Sequence, residues 1–423
     1  MRSSLQWIMF AGLIFQAAGA CAQTFSLSMA ESRGRERYPL TRQKLLTDES
    51  AQLSLRNLNR NFLPQATFNA QGSYQSDVTE IKIPNAPFMV EPLSKDQYKV
   101  NVDISQTIYD GGVNKNQKQL VSLKAAAEMG QADLELIRLK EKIDLTYCNI
   151  LFADAMIGQM DVVMSDLTLG ISKVEAKIKE GTAFRSSLNM LKAEALKTEQ
   201  KAIEWKSTRS AMVQVLSILT DTVLTDDVKP ELPAVVPSSS MDITRPELDL
   251  INVQRNISQK QFDMVNAKLK PRAGIFLQGG YGRPALNMLL NSFDWYGVGG
   301  IRLSWNFSNL YTASNEKQLA QIDKKNADIR EEVFRLNTRT QIAQQQKEIE
   351  KMLALIRSDE AIIELRESVK NAASAQLEAG VITAADYIRE VNALDLARQS
   401  LRSHEIQKLQ ATIQLNNITG QTK

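Results

Sequence analysis

The sequence predicts a mostly α chain with some β, built as a two-fold internal repeat of a β-hairpin followed by a long helical hairpin. Three observations carry this. Two glycine-centred breaks, at Gly181 and Gly380, each separate a long helical pattern from a shorter one, and they lie roughly 199 residues apart. The prolines cluster outside two long stretches, and proline costs ~3 kcal/mol inside a helix, so those stretches are where long helices are permitted. Four short runs alternate apolar and polar residues with the period of two of a half-buried strand.

Residues 1–22 read as a signal peptide. Arg2 supplies the basic start, Trp7 to Phe15 an apolar core too short to span a bilayer, and Ala17-Ala-Gly-Ala-Cys-Ala-Gln23 a small-residue cleavage region. Two processing routes stay open: cleavage after Ala22, or lipid attachment at Cys21. A lipoprotein cut normally wants leucine three places before the cysteine, and Ala18 stands there. Either route sends the chain out of the cytoplasm. The net charge of +3 is too small to indicate a nucleic-acid partner. After ordinary cleavage Cys148 is the only cysteine, which excludes an internal disulfide and a structural zinc site. His404, the lone histidine, lies in a polar helical run and reads as a surface residue.

In chain order, residues 26–36 and 39–61 read as helices, the second opening on Pro39 in its first turn. Pro64 ends it. In a strand at about 64–76, Ala66, Phe68, Ala70 and Tyr74 alternate with Thr67, Asn69, Gln71 and Ser73. A second, at about 96–108, sets Tyr98, Val100, Val102 and Ile104 against Lys99, Asn101, Asp103 and Ser105. Asp110-Gly-Gly112 stops the hairpin, and a helix over 113–180 follows, ~100 Å long at 1.5 Å per residue. A return helix over 184–219 and an irregular linker at 222–240 complete the first unit, residues 23–240. Arg245-Pro-Glu-Leu248 opens a further helix that ends before Pro271.

The second unit, 241–423, repeats this plan. Strands are expected at about 271–283 and 295–308, and helices over 313–379 and 384–419. Ile342, Ile349, Ile356 and Ile363 recur at heptad spacing, so the long helix needs helical neighbours.

Four amphipathic strands in an exported chain have the alternation of outer-membrane barrel strands, with Tyr74, Tyr98, Tyr281, Trp295 and Trp305 as interfacial aromatics. Four strands cannot close, and an open edge in lipid would leave backbone groups unpaired, so closure demands several copies. Three copies would make twelve strands around a bore lined by Thr67, Asn69, Gln71, Lys99, Asn101 and Asp103. Lys99, Asp103 and Arg302 are its candidates for selecting what passes.

Leu63-Pro-Gln65 before a strand, Ser105-Gln-Thr-Ile-Tyr-Asp-Gly-Gly112 at strand-to-helix passage, Arg245-Pro-Glu-Leu248 and the two glycine tips carry a family resemblance. Across nearly its whole mature length the chain resembles the TolC-type outer-membrane efflux proteins. The resemblance implies a homotrimer whose twelve-stranded barrel in outer-membrane lipid is continuous with an α-helical periplasmic tunnel. It implies a passive exit duct for a tripartite efflux or type I secretion system, with no enzymatic activity and no cofactor. Its partners would be a periplasmic adaptor (membrane fusion protein), met at tip residues Gly181, Thr182, Gly380, Val381 and Thr383, and an inner-membrane pump.

By the same resemblance Asp386 falls where an aspartate ring constricts the periplasmic mouth. Arg389 stands where a second aspartate is expected, and Ser187, Leu377 and Ile382 replace the closing aspartate, tyrosine and arginine. Asp386 is equally what the dipole of a helix N-terminus favours. The sequence shows no nucleophile–base pair, phosphate loop or metal-ligand cluster. The rival class is an exported coiled-coil scaffold or a periplasmic adaptor, which would show one hairpin between β-rich halves.

Overall fold

A computed structural model describes residues 24–80, 92–237 and 242–420. The expected signal peptide, Cys21 included, lies outside the described residues. Among them, no helix is long and apolar enough to cross a membrane.

Two helices set the scale. Helix α3 (Val113–Lys179) has 67 residues and α6 (Asn309–Ala379) has 71, which makes each ~100 Å long. Both return through 36-residue partners, α4 (Arg185–Thr220) and α7 (Ala384–Thr419). The sheet-side halves of α3 and α6 pack on α5 (Pro246–Lys268), where Leu120 meets Ile257 and Met264. Helices α1 (Leu27–Arg37) and α2 (Pro39–Arg60) lie against α3. The isoleucine heptads mark a seam: Ile342 and Ile349 are buried against Ala411, Leu415 and Ile418 of α7.

Strands β2 (Gln65–Tyr74), β3 (Asp96–Tyr109), β5 (Arg272–Arg283) and β6 (Asp294–Ser304) form one antiparallel sheet in the order β2-β3-β5-β6. Strand β6 stops at Ser304, short of the expected 308. Asn306 Oδ1 there accepts the backbone N–H of Ser308 at 3.0 Å, turning the chain into α6, while Trp305 Nε1 donates to the Leu269 carbonyl at 2.9 Å. The long helix accordingly starts at Asn309, not 313. At the end of β3, the Asp110 carboxylate accepts from Gly112 N at 2.9 Å and Asn114 N at 2.6 Å, capping α3 directly off the strand.

The linker expected to be irregular contains one ordered pairing. Strand β1 (Thr24–Phe25) runs parallel to β4 (Lys229–Pro230). Tyr147, fully buried on α3, places its hydroxyl 2.7 Å from both the Phe25 and the Glu231 carbonyls, while Arg209 donates to the Val228 carbonyl at 2.6 Å. This girdle is the largest apolar cluster among the described residues, joining Ile143, Cys148, Leu216 and Ile413 from three helices.

His404 is not a surface residue. It is half-buried, with Nδ1 2.5 Å from Asp359 Oδ2, and so ties α7 to α6. Asp359 occupies the seam of the isoleucine heptads, and the imidazole of α7 is what meets it there.

Beside the girdle, Lys140 Nζ on α3 meets Asp144 at 2.9 Å, Glu31 of α1 at 3.0 Å and the Asn417 side-chain oxygen of α7 at 2.9 Å. Burial outweighs the attraction of Lys140 and pushes the Glu31 carboxyl up from 4.5 to about 7. A carboxyl whose folded pKa is raised contributes stability below its unfolded pKa and loses it as pH rises through the folded one. The apparent Tm of the wild type should therefore fall between pH 5 and about pH 8 more steeply than that of Glu31→Gln. Thermal melts in detergent across that range check this, and parallel curves would assign the pH response elsewhere.

Candidate functional site

Two surfaces hold the candidate residues: the helical tips and the polar face of the sheet. At each tip the chain must reverse within a few residues. Gly181 and Gly380 adopt φ of 74° and 78°, a left-handed conformation that costs an L-residue ~1 kcal/mol or more. Each closes its helix by a wide backbone bond, Thr182 N to Lys177 O at 2.9 Å and Val381 N to Gln376 O at 2.9 Å. Thr182, Gly380, Val381 and Thr383 are all exposed.

Thr383 and Asp386 form a reciprocal cap on α7. Asp386 N donates to Thr383 Oγ1 at 3.2 Å, and Thr383 N donates back to Asp386 Oδ2 at 3.1 Å. Arg389 Nη2 donates to the other carboxylate oxygen at 2.8 Å, the i, i+3 pairing that the spacing allows. The Thr383 hydroxyl and backbone N–H, with Arg389 adding its charge, hold the Asp386 carboxyl below the usual aspartate range.

The two tips are bound into one body. Val163, Leu167 and Val174 of α3 share an apolar core with Leu191 of α4, Leu377 of α6 and Tyr387 of α7. Leu377 is buried in this core and Ile382 packs against it, so two of the positions that hold polar closing residues in the resembled family are structural here. Lysines make the polar links instead. Lys177 Nζ donates to the Leu377 carbonyl at 2.9 Å, Lys173 pairs with Glu378 at 2.8 Å, and Lys370 pairs with Asp166 at 2.9 Å. Tyr387, whose hydroxyl burial pushes up to about 12, donates to the Asp166 carbonyl at 3.0 Å. None of these partners was legible in sequence: each joins residues about 200 positions apart with no local pattern.

On the sheet, register puts Thr67, Asn69, Gln71, Lys99, Asn101, Asp103 and Arg302 on one face. Asp103 is its centre. Its carboxylate accepts from Asn69 at 2.5 Å, Asn101 at 2.7 Å and Gln278 at 2.5 Å. Lys99 lies 5.7 Å from the Tyr296 ring and Arg302 4.7 Å from that of Phe276. Gln278, Tyr296 and Phe276 were missed in the sequence, because glycines interrupt the alternation of β5 and β6.

The opposite face is apolar and carries Phe68, Val100, Val102, Ile104, Ile275, Leu277 and Ile301. Aromatics stand at both of its ends: Tyr74, Tyr98, Tyr281 and Trp295 at one, Trp305 and Phe307 at the other. From Tyr98 to Ile108 the strand rises ~34 Å, or ~26 Å along a barrel axis at a tilt of ~40°, close to the ~25 Å apolar band of outer-membrane barrels.

Solved structures share this architecture. The outer membrane protein VceC of Vibrio cholerae superposes with a TM-score of 0.70 at 14% identity, covering 93% of this chain and 96% of its own. The CmeC outer membrane channel of Campylobacter jejuni gives 0.67 at 14%, covering 94% and 87%. The MtrE outer membrane channel of Neisseria gonorrhoeae, in its open state, gives 0.65 at 15%, covering 93% and 88%. The chain has the fold of the TolC-type outer-membrane channels. No family model matches its sequence, and no curated protein sequence does either.

Proposed function

We propose that the chain is the outer-membrane exit duct of a tripartite efflux or type I secretion system, a passive, non-enzymatic channel assembled from three copies. The observation that carries this is the two-faced sheet, apolar on one side and polar on the other, mounted on ~100 Å helices with β2 and β6 each paired on one side only among the described residues. Three sheets joined edge to edge give twelve strands, with the apolar face toward lipid and the Asp103 face lining the bore. That arrangement puts the protein in the outer membrane and the helices in the periplasm. The similarity to solved outer membrane channels supports the same reading.

Light scattering of the detergent-purified protein should give a trimer, and planar bilayers should show conductance. A stable monomer without conductance would overturn the channel.

The tips are the docking surface for a periplasmic adaptor that passes cargo from an inner-membrane pump. Gly181, Thr182, Gly380, Val381 and Thr383 present backbone and small side chains there, and Phe184 and Val381 add apolar surface, 81% and 74% exposed. Phe184→Asp with Val381→Asp should abolish complementation of a deletion strain across a panel of antibiotics, dyes and metal salts. The double variant should still reach the outer membrane as a trimer, since neither side chain is buried. Wild-type resistance would count against docking at these positions.

Asp386 serves as both helix cap and constriction. Three symmetry-related carboxylates close together at a narrow mouth bind polyvalent cations, and Arg389 partly neutralises each of them. Single-channel recordings should show Asp386→Ala losing block by trivalent cations from the periplasmic side and Arg389→Asp gaining it. If both are blocked like the wild type, Asp386 is a cap alone.

A further inference from the structure

The loop between β5 and β6 is unlike an ordinary solvent-facing loop. Pro284-Ala-Leu-Asn-Met-Leu-Leu-Asn-Ser-Phe293 contains no charged residue, and Leu286, Met288, Leu289 and Leu290 are all more than half exposed. Loop tips in water are usually polar, and a contiguous exposed apolar patch marks a surface that another phase or partner covers.

The loop's direction is fixed at its far end. The Phe293 ring stacks 5.6 Å from Tyr281 and 6.3 Å from Tyr98, and both tyrosines belong to the apolar face. The chain therefore comes down over the side of the sheet away from Lys99, Asp103 and Arg302. Asn291 anchors the same segment to the start of β3, accepting from Ser94 N at 3.1 Å and donating to Ser94 Oγ at 2.9 Å. The arginine that ends β5 at the loop's root is neutralised. Arg283 is paired with Asp96, and its guanidinium lies 5.8 Å from the Tyr98 ring and 5.2 Å from that of Phe293.

We propose that residues 284–293 form a membrane-seated fin, in which Leu286, Met288, Leu289 and Leu290 enter the lipid surface around the barrel instead of lying over its bore. The inference rests on the barrel reading above. Its occupant is lipid, acyl chains at the depth where headgroups give way to hydrocarbon, because the patch adjoins the aromatic end of the apolar face, to which the stacking of Phe293 on Tyr98 and Tyr281 joins it. Tyr98, Tyr281 and Trp295 have the amphipathic chemistry of that boundary, and the loop extends the apolar surface past them. A loop folded inward would set four large apolar side chains against the charged lining.

Depth-dependent fluorescence tests this on the reconstituted full-length protein. In the processed chain, with Trp205, Trp295 and Trp305 replaced by Phe, Leu289→Trp and, separately, Met288→Trp report the loop. A variant retaining Trp295 alone reports the barrel wall. Vesicles of phosphatidylcholine with brominated acyl chains should quench both loop reporters about two-fold or more relative to unbrominated vesicles, with aqueous acrylamide much less effective than on free tryptophan. Free quenching by acrylamide with no response to bromine would place the loop in water and overturn the proposal. Shielding from both quenchers would place it against a neighbouring copy and overturn it equally. If Trp295 itself ignores brominated lipid, the barrel reading fails. If Trp295 responds and the loop reporters do not, only the fin fails.

Discussion

One row of backbone N–H and C=O groups on β2 and another on β6 have no strand beside them among the described residues. In water these edges would be tolerable; in hydrocarbon each unpaired group costs several kcal/mol, so only a closed barrel is admissible. The rest of the chain answers to that constraint. The apolar face of the sheet needs lipid or a partner, and the polar face needs water. In the proposed barrel the helices that follow each hairpin continue the same circumference, which gives a reason for a β-hairpin and a helical hairpin to recur as a pair. Asp110 capping α3 directly off β3 leaves no flexible segment in which the two layers could slip relative to each other.

The long helices, the tips and the four strands were legible in the sequence because each depends on local periodicity and on glycine or proline punctuation. The strand ends were less so. Strand β6 stops early because an Asn306 turn outweighs the continuing alternation of Trp305 and Phe307. The β1–β4 pairing escaped because two-residue strands have no period. It is held instead by Tyr147 and Arg209, which are distant in sequence. His404 was misjudged for a related reason: a polar run on one helix does not reveal that Asp359 faces it from another. Of the site residues, the polar sheet face was readable in β2 and β3, where alternation is strict, and only partly in β5 and β6, where glycines leave gaps in the pattern.

Asp386 divides its two carboxylate oxygens between different partners. A cap needs only one carboxylate oxygen directed at Thr383: Oδ2 faces Thr383, which leaves Oδ1 to Arg389 one turn further along the helix. The hydrogen bonds that favour the ionised form keep that carboxylate charged over the whole physiological range, a condition that the proposed constriction depends on.

The same economy explains how the fold can be shared at 14% identity and a TM-score of 0.70. A heptad seam demands apolar residues of suitable size, and many sequences supply them. Polar links between the tips demand more when both partners are side chains, because two positions must then change together. A lysine donating to a backbone carbonyl at a helix end requires one position only, since every helix C-terminus offers free carbonyls and the negative end of its dipole. Lys177 on the Leu377 carbonyl is of that kind. With the tips tied in this way, positions 377 and 382 need not carry polar links, and Leu377 sits in the core while Ile382 packs against it.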